Sequence, residues 1–277
     1  MRLWDSEQPE SVLVGWDSLE TPTYRHEALP AYQSGREFED SIVEQLALLP
    51  GLVESFGFQI GKAGGYEADD FLAAAARAGG HIALSGGSGP KRAYELAAEL
   101  EPDWSRAEVW WSDDRCVPPN DERSNYRMAK EALLDRLAAP PAAVHRIEGE
   151  LDPVEAADRY DQALRGVRLD LNLLGIGPDG HTASLFPHAP TLDERERLAV
   201  AAGPGLEPFV PRVTLTVPAN SAAAHVVFLV TGAAKADAAR RAFGEPPDPG
   251  TPASLVRSQS GRTTAILDAE AASELSI

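Results

Sequence analysis

The sequence is poor in cysteine, in positive charge and in long apolar runs. Its one cysteine, Cys116, has no disulfide partner within the chain and excludes a cysteine-rich metal site. No stretch approaches the roughly 18 apolar residues that span a bilayer. The first ten residues, MRLWDSEQPE, carry no apolar signal core. We therefore expect a cytoplasmic protein without a membrane partner.

Positive charge is scarce along the whole chain. The 277 residues carry 43 acidic and 25 basic side chains, for a formal net charge of −18. Both parts of the chain are acidic, since the first 78 residues hold 14 acidic and 5 basic side chains. Proteins bind nucleic acid largely through Lys and Arg that neutralise phosphates. This balance therefore argues against a nucleic-acid partner.

From residue 81 onward, short apolar runs alternate with amphipathic segments. This alternation predicts an α/β fold with a doubly wound, mostly parallel sheet. Residues 212–219, RVTLTVPA, alternate as a half-buried strand does, and residues 263–275 are predicted to close the chain as a strand and a helix. We expect two domains, a partial α/β front segment over residues 1–77 and the main α/β domain over residues 78–277.

The most informative segment is LNLLGIGPDGHTASLFP, residues 171–187. An apolar run ends in a turn that contains Gly175 and Gly177, and the turn is followed by His181. Such turns lie at the carboxyl edge of α/β sheets, where these proteins bind ligands. Histidine has an unperturbed pKa of about 6.5, which suits proton transfer near neutral pH. Asp179 either holds the His181 imidazole or forms an Asp-Gly turn.

A second glycine-rich turn, LSGGSGP, lies between a predicted strand and a predicted helix. It contains Ser85, Gly86, Gly87 and Ser88. Glycines let backbone N–H groups approach an anion, and the start of a helix adds a favourable dipole. The turn is therefore either an anion-binding site or an ordinary strand-to-helix turn, since Gly-Gly turns are common.

Five motifs in order carry a family resemblance: LSGGSGP, SDDRCVPPNDERSNY, LLGIGPDGHTASLFP, PRVTLTVP and VTGAAKADA. Through them, residues 78–277 resemble the 6-phosphogluconolactonases. The resemblance implies a Rossmann-like fold and hydrolysis of 6-phospho-D-glucono-1,5-lactone to 6-phosphogluconate in the oxidative pentose phosphate pathway, without a cofactor or metal. The partner would be this small anionic lactone, and we expect a monomer or a homodimer.

The resemblance also assigns roles to residues. His181 would act as the general base that activates water. Backbone N–H groups of a glycine turn or Arg115 would meet the oxyanion. Arg212 and Lys235 would face the phosphate, and Asp113 would orient Arg115 or His181.

Two positions depart from the family pattern. Gly89 stands where the family usually has Thr, which removes a hydroxyl hydrogen bond worth about 1 kcal/mol. Asp114 stands where Glu is usual. Ser124 is predicted to cap a helix and Asn125 to anchor a loop, whereas His145 and His188 lack a supporting motif and are predicted to be surface residues.

Residues 10–76 resemble the front part of the 5′–3′ exonuclease domain associated with bacterial DNA polymerase I. The matching segments are VGWDSLETPTYRHEALPAYQSGR and GYEADDFLA. The resemblance implies two-metal phosphodiester cleavage, with candidate metal ligands Asp17, Glu67, Asp69 and Asp70. It would place three residues near substrate phosphates, namely Arg25, Tyr32 and Arg36. The further carboxylates of such a site do not follow, and acidic residues also favour a helix start.

Three alternatives to the lactonase remain at this point. The same fold family includes amino-sugar-phosphate isomerases and deaminases, but DGHTASLFP together with RVTLTVP favours the lactonase. The second alternative is a metal-dependent nuclease-related protein, and the third is a folded but catalytically impaired hybrid. We expect the segment DDFLAAAARAGG to replace the first helix of the α/β domain.

Overall fold

The computed structural model describes residues 13–14, 59–60, 68–259 and 261–275. Contacts divide the chain into two units, residues 1–67 and 68–277, and each is described by itself. In the first unit the described strands β1 (Leu13–Val14) and β2 (Gln59–Ile60) pair in parallel. Five of the nuclease-like residues lie outside the described residues: Asp17, Arg25, Tyr32, Arg36 and Glu67.

The second unit is built of alternating strands and helices. Its strands are β3 (Gly80–Leu84), β4 (Ala107–Trp111), β5 (Asp113–Arg115), β6 (Ala143–Val144), β7 (Leu171–Leu174), β8 (Ala199–Ala202), β9 (Arg212–Leu215), β10 (His225–Val230) and β11 (Arg262–Leu267). Its α-helices are α1 (Ala68–Ala78), α2 (Ser88–Leu100), α3 (Asn125–Ala132), α4 (Pro153–Leu164), α5 (Val217–Ser221) and α6 (Ala236–Gly244). No helix among the described residues is long and apolar enough to cross a membrane.

Six strands form the central sheet, in the order β11-β10-β7-β3-β4-β6. Every neighbouring pair is parallel, so the predicted doubly wound sheet is confirmed. The order proceeds from β3 to β4 and β6 on one side and from β7 to β10 and β11 on the other. The switch point therefore lies between β3 and β7, and open α/β sheets bind ligands at the carboxyl edge of this point.

The hydrophobic core lies against both faces of this sheet. All four residues of β7 are buried, as expected for a parallel strand that helices cover on both faces. Trp104, Trp110 and Trp111 are among the largest fully buried side chains. Helix α1, whose first turn contains Asp69 and Asp70, contributes Leu72 and Ala76 to the same core. This helix therefore fills the place of a first helix in the α/β unit, as the sequence predicted.

A second, antiparallel sheet has the order β5-β9-β8. The prediction of a half-buried strand over residues 212–219 is wrong. The strand there ends at Leu215, all four of its residues are buried, and helix α5 follows. Pro218 cannot donate a hydrogen bond to a strand neighbour, and Thr216 Oγ1 caps α5 by accepting the N–H of Ala219 at 3.3 Å.

The predicted C-terminal helix is also wrong, because residues 269–274 form turns. Asp268 Oδ1 accepts the N–H of Ala271 at 2.7 Å, which holds the chain in a turn directly after β11. A segment this short gains too little from helix formation to offset the cost of nucleation.

Candidate active site

The two glycine-rich turns follow β3 and β7. These strands are parallel neighbours, so the turns share the carboxyl edge of the sheet at its switch point. This edge is the candidate active site.

His181 is held by Asp179. The imidazole Nδ1 lies 2.5 Å from Asp179 Oδ1, which also accepts the backbone N–H of His181 at 3.1 Å. Burial opposes ionisation of Asp179, but the hydrogen bond and charge of His181 outweigh it and lower the carboxyl pKa. With Nδ1–H donating to this carboxylate, Nε2 is left to accept a proton. Asp179 therefore combines the two roles that the sequence left open.

Gly177 is required by the packing of this pair. A Cβ at residue 177 would overlap His181 Nδ1 and lie 2.7 Å from Asp179 Oδ1. The backbone N–H of Gly177 donates to His181 O at 2.9 Å, so this N–H is used within the turn. Gly175 O accepts the hydroxyl of Thr182 at 2.8 Å.

Strands β5 and β9 place two arginines side by side. Arg115 and Arg212 are directly opposite each other in the antiparallel register. Burial lowers the pKa of Arg212, and the charge of Arg115 lowers it further against the opposing effect of Asp113 and Asp114. Like charges in this position are unfavourable. Both Nε atoms are buried and lack a partner in the described part of the chain, so the pair is suited to an anion.

Phe186 contacts both Arg212 and His181. Its guanidinium carbon lies 5.3 Å from the centre of the Phe186 ring, and that ring lies 5.1 Å from the His181 ring. The Leu206 carbonyl accepts a hydrogen bond from Arg212 Nη2 at 2.8 Å. Phe186 therefore packs between the candidate base and a buried cation.

Asp113 contacts neither of the residues that the sequence assigned to it. Its Oδ2 accepts the hydroxyl of Ser184 at 2.5 Å, and its Oδ1 accepts Asn125 Nδ2 at 3.2 Å. Ser184 belongs to the His181 loop, and Asn125 Oδ1 accepts Arg115 Nη1. Asp113 thus reaches both residues through intermediates.

Asn125 is the site residue that the sequence analysis missed, because it was predicted only to anchor a loop. A Cβ on Gly86 would overlap Asn125 Oδ1, so the Asn125 side chain packs directly against the glycine-rich turn after β3. Asn125 Nδ2 also donates to Asp113 O at 2.9 Å. Asn125 directly follows Ser124 in a sequence motif that already contained candidate site residues. This position was the signal by which the sequence could have identified Asn125. Ser124 caps α3 as predicted, since its Oγ accepts Arg127 N–H at 3.2 Å.

Asp114 holds the start of α3. Its carboxylate accepts the N–H groups of Asn125 at 2.6 Å and Tyr126 at 3.0 Å and the hydroxyl of Ser124 at 3.1 Å. Burial raises its pKa to about 6, against the effect of these hydrogen bonds. Asp114 stands where the family usually has Glu. This difference therefore affects the hydrogen bonds that hold the start of α3.

The turn after β3 has the form of an anion site. Gly87 has φ 112° and precedes the first residue of α2, whose first turn contains no acidic residue. Tyr94 Oη binds both N and O of Ser85 at 2.8 Å, which fixes the base of the turn. Ser85 Oγ is buried and lacks a partner among the described residues. Its hydroxyl is therefore available to a ligand.

Lys235 ends a short 3₁₀ helix, Ala233–Lys235, that follows β10. Its side chain is half-buried, which lowers the pKa of the ammonium group, and it makes no ion pair within the described part of the chain.

His145 and His188 are the two histidines that the sequence predicted to be surface residues. His188 is exposed, as predicted. His145 is not simply a surface residue, because it stacks on Trp110 at 3.8 Å between ring centres and pairs with Glu108 at 2.7 Å. Among residues 68–259 and 261–275, no group of three His, Cys, Asp or Glu side chains is placed to hold a metal ion.

Comparison with known families now adds to this geometry. The profile of the glucosamine-6-phosphate isomerases/6-phosphogluconolactonase family matches residues 66–265. The chain belongs to this family. A second profile, that of the 5′–3′ exonuclease N-terminal resolvase-like domain, matches residues 1–85. The two matches overlap in α1 and β3.

Several similar proteins are named 6-phosphogluconolactonases. The 6-phosphogluconolactonase of Nostoc sp. is 39% identical over 207 residues, which cover 71% of this chain and 85% of that protein. The human 6-phosphogluconolactonase is 38% identical over 216 residues, with 74% and 84% covered. The structure of the Trypanosoma cruzi 6-phosphogluconolactonase matches with TM-score 0.67 and 30% identity, covering 76% of this chain and 92% of that one. A monomeric glucosamine-6-phosphate deaminase has TM-score 0.66 at 18% identity, covers 75% and 93%, and shares the fold.

Proposed function

We propose that this protein hydrolyses 6-phospho-D-glucono-1,5-lactone to 6-phosphogluconate. The observation that carries the proposal is the His181–Asp179 pair, which lies on a loop that Ser184 ties to the strand of Arg115. A base and a cation are thereby joined at one edge of the sheet. The lactonase relatives at 38–39% identity support the same reaction over that of the deaminase.

In the proposed mechanism, neutral His181 takes a proton from water through Nε2, and the hydroxide attacks the lactone carbonyl carbon. Asp179 stabilises the imidazolium that forms. Arg115 meets the oxyanion, since the Gly177 N–H is already used within its turn. The bond between the carbonyl carbon and the ring oxygen then breaks, and His181 returns its proton to that oxygen, which becomes the product hydroxyl.

The phosphate binds, in this proposal, at the turn of Ser85, Gly86, Gly87 and Ser88. The N–H groups at the start of α2 and the unpaired Ser85 hydroxyl favour an anion there. Lys235 supplies a charge from the loop after β10, and the buried Arg212 adds a further cation beside Arg115.

The end of the front segment, from residue 68 onward, has a structural role in this proposal. Residues 68–85, where the two family matches overlap, form α1 and β3 of the α/β unit, and Leu72 lies in its core. We therefore assign no nuclease reaction to the chain.

The test follows loss of 6-phosphogluconolactone above its spontaneous hydrolysis. His181→Ala is expected to lower kcat at least a hundredfold, as removal of a general base does. His188→Ala is the matched control because this exposed histidine lies only seven positions later. A folded wild-type protein that is inert on the lactone, or an active His181→Ala variant, overturns the proposal.

A further inference from the structure

Gly89 lies in the first turn of α2, beside a hydroxyl from another part of the chain. A Cβ built on Gly89 would lie 3.3 Å from Thr231 Oγ1 and 3.9 Å from Leu229 Cδ2. The hydroxyl of Thr231 thus stands close to where a side chain at residue 89 would begin. Gly89 is also the position at which the lactonase pattern has a Thr hydroxyl and this chain has none.

Thr231 is free to bind a ligand. It directly follows β10 at the carboxyl edge of the sheet and is exposed. Its hydroxyl makes no hydrogen bond within the described part of the chain.

The position of Thr231 is nevertheless fixed. The next residue, Gly232, has φ 93° and donates its N–H to both carboxylate oxygens of Asp268, at 3.1 and 2.9 Å. Ala233 N–H donates to Glu270 Oε2 at 3.3 Å. These contacts anchor the loop from the β11 side, so little ordering is needed before its hydroxyl binds.

The surroundings of the Thr231 hydroxyl favour an anion. The first turn of α2 offers unpaired N–H groups and contains no carboxylate. The unpaired, buried Ser85 Oγ lies at the base of the same turn. Lys235, on the loop of Thr231, makes no ion pair within the described residues. Asp268 and Glu270 are engaged with backbone N–H groups of that loop.

We propose that Thr231 is a further ligand-binding residue, whose hydroxyl donates to the phosphate at the start of α2 and supplies the hydrogen bond that Gly89 lacks. The inference rests on the proposed function in that the phosphate is that of the lactone. It makes Thr231 a determinant of selectivity for phosphorylated over unphosphorylated lactones.

The test compares Thr231→Val, which removes the hydroxyl at nearly constant volume, with Thr231→Ser, which keeps it. Loss of a hydrogen bond to a charged group raises KM for the phosphorylated lactone about tenfold or more. We expect unchanged kcat, unchanged KM for unphosphorylated glucono-1,5-lactone, and near wild-type behaviour of Thr231→Ser. The double variant Gly89→Ser with Thr231→Ala removes the hydroxyl at residue 231 and places one at residue 89. This variant is expected to recover most of the lost affinity.

Calorimetry with 6-phosphogluconate and with inorganic phosphate gives a readout that does not depend on turnover. A wild-type protein that binds these anions but is inert on the lactone overturns the proposed reaction, while the Thr231→Val comparison still decides the role of the hydroxyl. The inference about Thr231 is overturned by equal anion affinity of wild type and Thr231→Val, by equal losses on both lactones, or by a wild type that binds neither anion.

Discussion

The hydroxyl of Ser184 donates to Asp113 Oδ2 at 2.5 Å, and both side chains are buried. Ser184 lies three residues after His181, and Asp113 begins the strand that carries Arg115. This bond therefore joins the loop of the candidate base to the strand of the candidate oxyanion-binding residue. Thr214 Oγ1 accepts Ser184 N–H at 3.2 Å and strengthens the same connection.

Ser184→Ala is expected to lower activity without removing any group that contacts substrate. It leaves a buried carboxylate short of one donor, which costs about 1–3 kcal/mol of unfolding free energy. The looser loop lowers kcat more than it raises KM, because alignment of His181 matters most in the transition state. Urea unfolding and steady-state kinetics measure the two effects. Ser273→Ala, at an exposed turn, is the control, and a Ser184→Ala variant with full kcat contradicts the role of this bond.

Gly177→Ala is expected to inactivate the enzyme while the fold persists. The added Cβ overlaps the imidazole of His181 and crowds Asp179, so the pair has to move. We expect a fall in kcat of at least a hundredfold, comparable to loss of the base itself. Gly203→Ala is the control, because no heavy atom lies within 4 Å of its added Cβ. Activity assays with circular dichroism as a fold check decide the matter, and a fully active Gly177→Ala variant would show that the turn tolerates the methyl group.

The sequence predicted the central sheet and both glycine-rich turns because short apolar runs that end in closely spaced glycines are local signals. The small antiparallel sheet left no such signal. Strand β5 has three residues, and its partner β9 lies about a hundred positions along the chain, so only the folded chain brings Arg115 opposite Arg212. The contact of Asn125 with Gly86 is invisible for the same reason. Local sequence signals therefore do not predict the long-range contacts that assemble the site.

Asp114 predicts a pH dependence of stability. Its pKa is raised to about 6 in the folded protein and is about 3.9 in an unfolded chain. Between these values the folded state holds the proton more tightly, so the unfolding free energy decreases as pH rises. The stabilisation is fully present below about pH 4 and is lost as pH passes through 6, with a size of up to about 3 kcal/mol.

The measurement is urea unfolding of wild type and Asp114→Asn from pH 4 to pH 7. The variant cannot titrate at this position, so the wild-type stability minus that of the variant is expected to decrease over this range. Other groups titrate in both proteins and cancel in the difference. A flat difference would show that the carboxylate is ionised throughout, held by the N–H groups of Asn125 and Tyr126.

A substitution at Leu72 tests whether α1 is part of the α/β unit. Its side chain is fully buried in the core, although the residue lies within both family matches. Leu72→Ala is expected to lower the unfolding free energy of the α/β unit by about 2–5 kcal/mol, because it leaves a cavity. Val154→Ala, on the exposed surface of α4, is the control and is expected to cost about 0.5 kcal/mol or less. If both variants unfold at the wild-type urea concentration, α1 does not belong to the core.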